Sequence, residues 1–179
     1  MSVLVRYGQV PEVARFAVAV DEHLHRGEQV VVRTSRGLEL GNLLQDWKPE
    51  SLEDGSSSDR LEAELADLRI VRKATTDDRR TQQERQRQCE SEFATWQQRI
   101  AEWKLELELV DSETTLDGEQ LILYVLNERG PDCTKLSLYA AAGGLGTITV
   151  QPVGIDGMIQ LEPTGGCGTG GCGSGGCGH

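Results

Sequence analysis

Apolar and polar residues change their rhythm along the chain, and each rhythm predicts a different kind of element. In the first 45 residues the apolar positions come in short, β-branched runs at 3–7, 13–18, 29–34 and 38–44. Runs of this kind between polar turns are the pattern of strands. Ser35-Arg36-Gly37 is a short polar turn with a glycine available for positive φ, so the last two runs are expected to pair as a hairpin. Gly27 marks the turn before the third run. Short strands so closely spaced predict a small barrel or curled sheet.

Periodicity is lost over residues 48–60, where Pro49, Gly55 and Ser56-Ser57-Ser58 predict a linker or exposed loop and a domain boundary. Residues 68–72 then read as a short strand. Thr75 with Asp78 has the form of a helix start, its acidic groups suited to the positive end of the helix dipole. Cys89, Phe93, Trp96, Ile100 and Trp103 follow at spacings of four, three, four and three, one apolar stripe on a helix over about 76–103. Trp96 and Trp103 are expected to be buried against the strands that follow. Strict alternation over 105–109 predicts a half-buried strand, Asp117-Gly118 a hairpin turn, and 120–126 a buried strand. A second helix over 132–142, ended by Gly143-Gly144, and a strand at 147–150 complete the order β-α-β-β-α-β. That order is the split pattern of a ferredoxin-like domain, with helices over one face of an antiparallel sheet.

The expected fold class is therefore α+β. A β-rich, barrel-like module (1–47) precedes a linker (48–60), a ferredoxin-like domain (61–154) and a flexible tail (155–179). The tail from Thr164 is a Gly/Cys repeat of five residues, too small-sided to pack a core and expected to be disordered.

Charge alters this picture more than composition does. The 179 residues carry a net charge of −11, which argues against non-specific nucleic-acid binding. Eight acidic residues fall within 46–67, whereas 69–88 reverses the sign with Arg69, Arg72, Lys73, Arg79, Arg80, Arg85 and Arg87. Such a strip is either a solvated face or a surface for phosphates or an acidic partner. No apolar run approaches the ~18–20 residues of a membrane span. The N-terminus has neither the basic nor the apolar region of a secretory signal, so the expected location is the cytoplasm.

Candidate chemistry is concentrated in the tail. Cys167, Cys172, Cys177 and His179 offer thiolates and an imidazole to zinc, copper or an iron–sulfur cluster. Cys89, on the apolar stripe, reads as a small buried hydrophobe. Cys133 stands at a helix start, a position that can lower a thiol pKa, although capping or burial is the favoured reading. His23 and His25 read as solvated turn residues. Nucleophile-elbow, P-loop and zinc-protease motifs are absent, and no paired acid–base constellation stands out.

Residues 27–41, Gly-Glu-Gln-Val-Val-Val-Arg-Thr-Ser-Arg-Gly-Leu-Glu-Leu-Gly, resemble the N-terminal signature of the PSP-one C-terminal-domain family, which includes YaaT-like bacterial regulators. Arg72-Lys73-Ala74-Thr75-Thr76-Asp77-Asp78 and the strand–turn–strand from Val110 to Tyr124 resemble later segments of the same family. The likeness runs in order over about 5–154. It departs at Asn127–Cys133, where the family has an Arg-Val-Asp-Phe-Arg-like element, and in the tail, which lacks the family's Arg and its adjacent Cys-Cys pair.

The resemblance implies a non-enzymatic regulatory or adaptor protein that works through protein partners and a metal or iron–sulfur centre. Arg36, Glu39, Arg79 and Arg80 are the candidate partner-binding residues. Arg36 and Glu39 fit either an exposed contact surface or a structural ion pair. The alternatives are an RNA-associated factor using the 69–88 strip and a metal-handling protein using the tail.

Overall fold

The computed structural model describes residues 2–18, 23–47, 68–126, 131–146, 148–154 and 157–159. The 48–60 segment and residues 160–179 of the tail, with Cys167, Cys172, Cys177 and His179, lie outside the described residues.

Four N-terminal strands form where the apolar runs predict them: β1 (Ser2–Tyr7), β2 (Glu12–Val18), β3 (Gln29–Thr34) and β4 (Gly37–Leu43). A fifth, β5 (Arg69–Lys73), inserts between β2 and β3, and β4 pairs back to β1, so the barrel closes in the order β1-β2-β5-β3-β4. Alternation then sorts the side chains: Val3, Val5, Phe16, Val30, Val32 and Ile70 point inward and are at most 1% exposed. Closure leaves no barrel edge open to another chain. Gly41 is needed where β4 crosses β1, because a Cβ there would overlap Val5 Cγ1.

Beyond β5 come α1 (Thr76–Glu102), β6 (Glu108–Thr114), β7 (Leu121–Leu126), α2 (Asp132–Ala142), β8 (Ile148–Gly154) and β9 (Gly157–Met158). The β-α-β-β-α-β order holds, within a mixed α+β chain whose first module is a closed barrel. The sheet itself, however, has the order β6-β7-β8-β9, and β7 and β8 run parallel rather than antiparallel. The reason lies in β5. Ile70 is its single buried residue, flanked by Arg69, Arg72 and Lys73, so it cannot occupy the middle of a sheet covered on both sides. With β5 in the barrel, the α2 crossover brings β8 directly beside β7 in parallel.

Both helices lie on one face of the sheet. Trp96, Ile100, Leu109, Leu123, Leu136 and Val150 share the core between them. Trp96 is 2% exposed, as its place in the stripe predicts; Trp103 is half-buried and packs at 5.6 Å from Tyr139 of α2. The opposite face carries Ile122, Tyr124 and Val153, and there the β1–β2 turn meets the sheet through Val10. Burial on both faces explains the unbroken apolar run of β7.

The alternation over 105–109 misplaces one boundary. The chain leaves α1 through a Schellman turn, Leu105 N donating to Ile100 O at 3.2 Å and Lys104 N to Ala101 O at 3.0 Å. Lys104 takes the left-handed position with φ 53°, a place usually given to glycine. Strand β6 therefore begins only at Glu108. The start of α1 is as expected, a capping box in which Thr75 and Asp78 satisfy each other's backbone amides. Gly144, at φ 69°, ends α2 in the same way that Lys104 ends α1.

Candidate functional site

The β3–β4 hairpin brings Thr34, Arg36 and Glu39 to one end of the barrel, facing the sheet. Gly37 in its tip has φ 136°, and a Cβ there would approach Asp117 Oδ2 to 2.9 Å. The absence of a side chain lets the tip close on the β6–β7 turn. Leu116 N donates to Leu38 O at 2.7 Å, and Leu38 N donates to Asp117 Oδ2 at 2.9 Å. Arg85 of α1 steadies the same turn, its Nε donating to Leu116 O at 3.1 Å.

Behind this backbone clasp lies a buried charged cluster. Arg36 forks onto Glu39, Nε to Oε1 at 3.1 Å and NH2 to Oε2 at 2.9 Å. Glu39 is 2% exposed and also accepts from Thr34 Oγ1 at 2.5 Å. The guanidinium lies 5.4 Å from the Tyr7 ring centre, donates to the Tyr124 hydroxyl at 3.3 Å and stands 3.5 Å from Glu12. Tyr124 donates in turn to Glu113 Oε2 at 2.9 Å, and Gln9 N from the β1–β2 turn donates to the same oxygen at 2.8 Å. One cation thus pairs with two carboxylates, those of Glu12 and Glu39, and is linked to a third, Glu113, through the Tyr124 hydroxyl at the seam between barrel and sheet.

The electrostatics follow from burial. Desolvation pushes the Glu39 carboxyl up, more than the Arg36 charge and the Thr34 hydrogen bond pull it down. Burial also raises the phenols of Tyr7 and Tyr124, reinforced by Glu12 and Glu113 respectively, so both stay protonated donors. For Arg36 burial works against the charge, but Glu39 and its other neighbours outweigh it and raise the guanidinium pKa. At Asp117 burial opposes ionisation. Hydrogen bonds from Thr115 and the amides of Leu38 and Glu119 prevail and hold its carboxyl below the usual range.

The remaining candidates are scattered. Arg79 is exposed and donates through Nε to Gln29 Oε1 at 2.8 Å, beside a polar cleft of about 340 Å³ that Glu28, Asn42 and Lys73 also line. Arg80 is exposed on α1 within 3.1 Å of Asp77 and 4.0 Å of Glu84. The 69–88 strip is divided between β5 and α1, and much of it is paired internally, Arg72 with Asp78 and Lys73 with Glu28. Cys89 is buried with Sγ 3.3 Å from Thr114 Oγ1. Burial and the neighbouring Asp132 raise the Cys133 thiol, so the helix start does not activate it. His25 is an exposed turn residue 3.7 Å from Asp46, and His23 is exposed. Among the described residues no group of three His, Cys, Asp or Glu side chains is placed to hold a metal ion, and no helix is long and apolar enough to cross a membrane.

Comparison with known families falls on the second half of this seam. Residues 68–137 match the model of the PSP1 C-terminal conserved region, from β5 through α1, β6 and β7 into α2. The chain carries a PSP1 C-terminal conserved region over those residues. Curated proteins and solved structures give no match. The PSP1 region thus supplies the barrel's fifth strand as well as Glu113, Asp117 and Tyr124 of the seam. The 27–41 signature lies upstream of the match, and its side of the seam is built from Arg36, Gly37 and Glu39.

Sequence reasoning singled out Arg36 and Glu39 but not their partners across the seam. Tyr124 carried one available signal, a phenol in the otherwise apolar run of β7. Nothing local tied it to a hairpin some 80 residues earlier (|i−j| = 88 for Arg36 and Tyr124).

Proposed function

We propose that this protein is a non-enzymatic regulatory adaptor of the cytoplasm, which acts by presenting the barrel and the PSP1 region to protein partners in one fixed arrangement. The supporting observation is the seam. Arg36, Glu39, Glu113 and Tyr124, the groups best suited to acid–base work, are turned toward one another and away from solvent. Their chemistry is spent on holding the modules together. Exposed charge on α1, including Arg79 and Arg80, is left for contact with a partner.

The test is affinity purification of the full chain from its own host, beside an Arg79→Glu/Arg80→Glu variant with the same melting temperature. A stoichiometric protein partner recovered with the wild type and lost with the variant is expected. Turnover of a substrate by the purified chain, abolished by Glu113→Gln, would replace this reading with an enzymatic one.

A further inference from the structure

The outer wall of the barrel is charged in a way the rest of the chain is not. Val32 is paired with Ile70 and both are fully buried, so the next pair in register, Arg33 with Arg69, stands outside. Phe16 is paired with Val3 inside the barrel, which puts Arg15 opposite Leu4, and Arg6 opposite Val13, on the outer surface. Arg69 is also paired with Ala17, two residues along β2 from Arg15. The four arginines therefore run across β1, β2, β5 and β3, neighbours in the closed barrel. Three inter-strand steps give a stripe roughly 14 Å wide.

All four are exposed, and among the described residues none has a carboxylate within ion-pair distance. The acidic residues of the five strands are Glu12 and Glu39, which share the inward positions of Tyr7 and Val32. An outer wall with four cations and no anion runs against a chain of 29 acidic and 18 basic residues. It also carries a cost. Like charges directly opposite each other on paired strands are destabilising, and Arg33 faces Arg69 in that way. A bound polyanion removes the repulsion.

We propose that this wall binds the phosphate backbone of RNA without reading its sequence. Guanidinium groups fork onto phosphate oxygens, and all four cations are arginine. The aromatic residues of these strands, Tyr7 and Phe16, point into the barrel, so the wall offers no ring for bases to stack on and contact falls on the backbone. The net charge of −11 is no bar. At physiological salt the screening length is about 8 Å, and the local stripe, not the molecular sum, governs what approaches it.

The experiment measures binding of the full chain to a fluorescent mixed-sequence RNA 20-mer between 50 and 300 mM salt. Variants are Arg33→Glu/Arg69→Glu and, as a milder pair, Arg33→Gln/Arg69→Gln; Lys135→Gln on α2, away from the barrel, is the control. Affinity should fall steeply with salt. The Glu pair should weaken it at least tenfold, and the Gln pair should lower the log–log salt slope by about 1.4, at ~0.7 for each phosphate no longer neutralised. The Gln pair should also melt no lower than the wild type, because it removes repulsion. Lys135→Gln should bind as the wild type does. Three results would each overturn the proposal: no binding at 50 mM salt, binding unchanged in both pairs, or displacement of RNA by poly-glutamate at equal charge concentration. The last would make the wall a dock for acidic protein segments.

Discussion

Replacing Arg36 by alanine is the sharpest perturbation of the seam. It removes the fork onto Glu39, the hydrogen bond to Tyr124 and the cation over the Tyr7 ring. Glu39, 2% exposed in the wild-type fold, is then left with the Thr34 hydroxyl as its remaining side-chain donor. Breaking a buried pair from one side costs about 3–5 kcal/mol, because the other charge is stranded. Glu39 can escape by taking a proton, and that gives the prediction a sign. Its folded pKa is already raised by burial, and losing Arg36 removes an opposing influence. A carboxyl with a raised folded pKa contributes stability at low pH that is lost as pH rises through that value. The variant should therefore be destabilised by about 3–4 kcal/mol at pH 8 and by distinctly less at pH 5. Arg36→Met with Glu39→Leu should recover most of the loss, since a well-packed apolar pair replaces a buried ion pair at little cost. Urea unfolding followed by tryptophan fluorescence measures this, with Trp47 packed on the barrel core and Trp96 in the core beneath the helices. A loss below about 1 kcal/mol, the same at both pH values, would mean that the pair behaves as an exposed one and the reasoning fails.

Other positions give independent tests. Gly37→Val combines φ 136° with a Cβ 2.9 Å from Asp117 and should cost about 1–3 kcal/mol in the same urea titration. Trp96→Ala should cost about 3–5 kcal/mol, and an unchanged melting temperature would refute the packing of α1 on the sheet. Lys104→Gly relieves the left-handed residue at the end of α1 and should raise stability by about 1 kcal/mol. Asp117 is held below its usual range in the fold, as is Asp78, chiefly by the Arg72 hydrogen bonds. Both therefore stabilise above the unfolded aspartate value of about 3.9, and the contribution is lost as pH falls. Asp117→Asn should flatten the acid limb of the stability profile.

Much of the fold was legible because each element announced itself locally. The β-branched runs gave the first four strands, the stripe from Cys89 to Trp103 gave α1, and Thr75 with Asp78 gave its cap. The partner of β5 was not legible, since a strand of five residues with one buried position pairs wherever the sheet leaves room. Nor was the Schellman turn at Lys104, because the residue in the left-handed position is not glycine. At the seam the sequence offered Arg36, Gly37 and Glu39 as a turn with charge on either side. That they turn inward depends on Asp117 and Tyr124, which only the tertiary fold brings near. The arginine wall depends on register alone: Arg33 and Arg69 are far apart in sequence and adjacent once β5 closes the barrel.

Barrel and PSP1 region act as one unit only if the clasp between them holds. Native-state hydrogen exchange at the amides of Leu38 and Leu116 tests this most directly, because those two N–H groups make the clasp. Both should exchange only by the opening that releases the core amides of Val30 and Ile122, with the same free energy and the same dependence on denaturant. In Arg36→Ala their protection should fall further than that of the core amides. Exchange of Leu38 and Leu116 at the rate of exposed loop amides in the wild type would contradict it, leaving two modules that are joined by the chain alone.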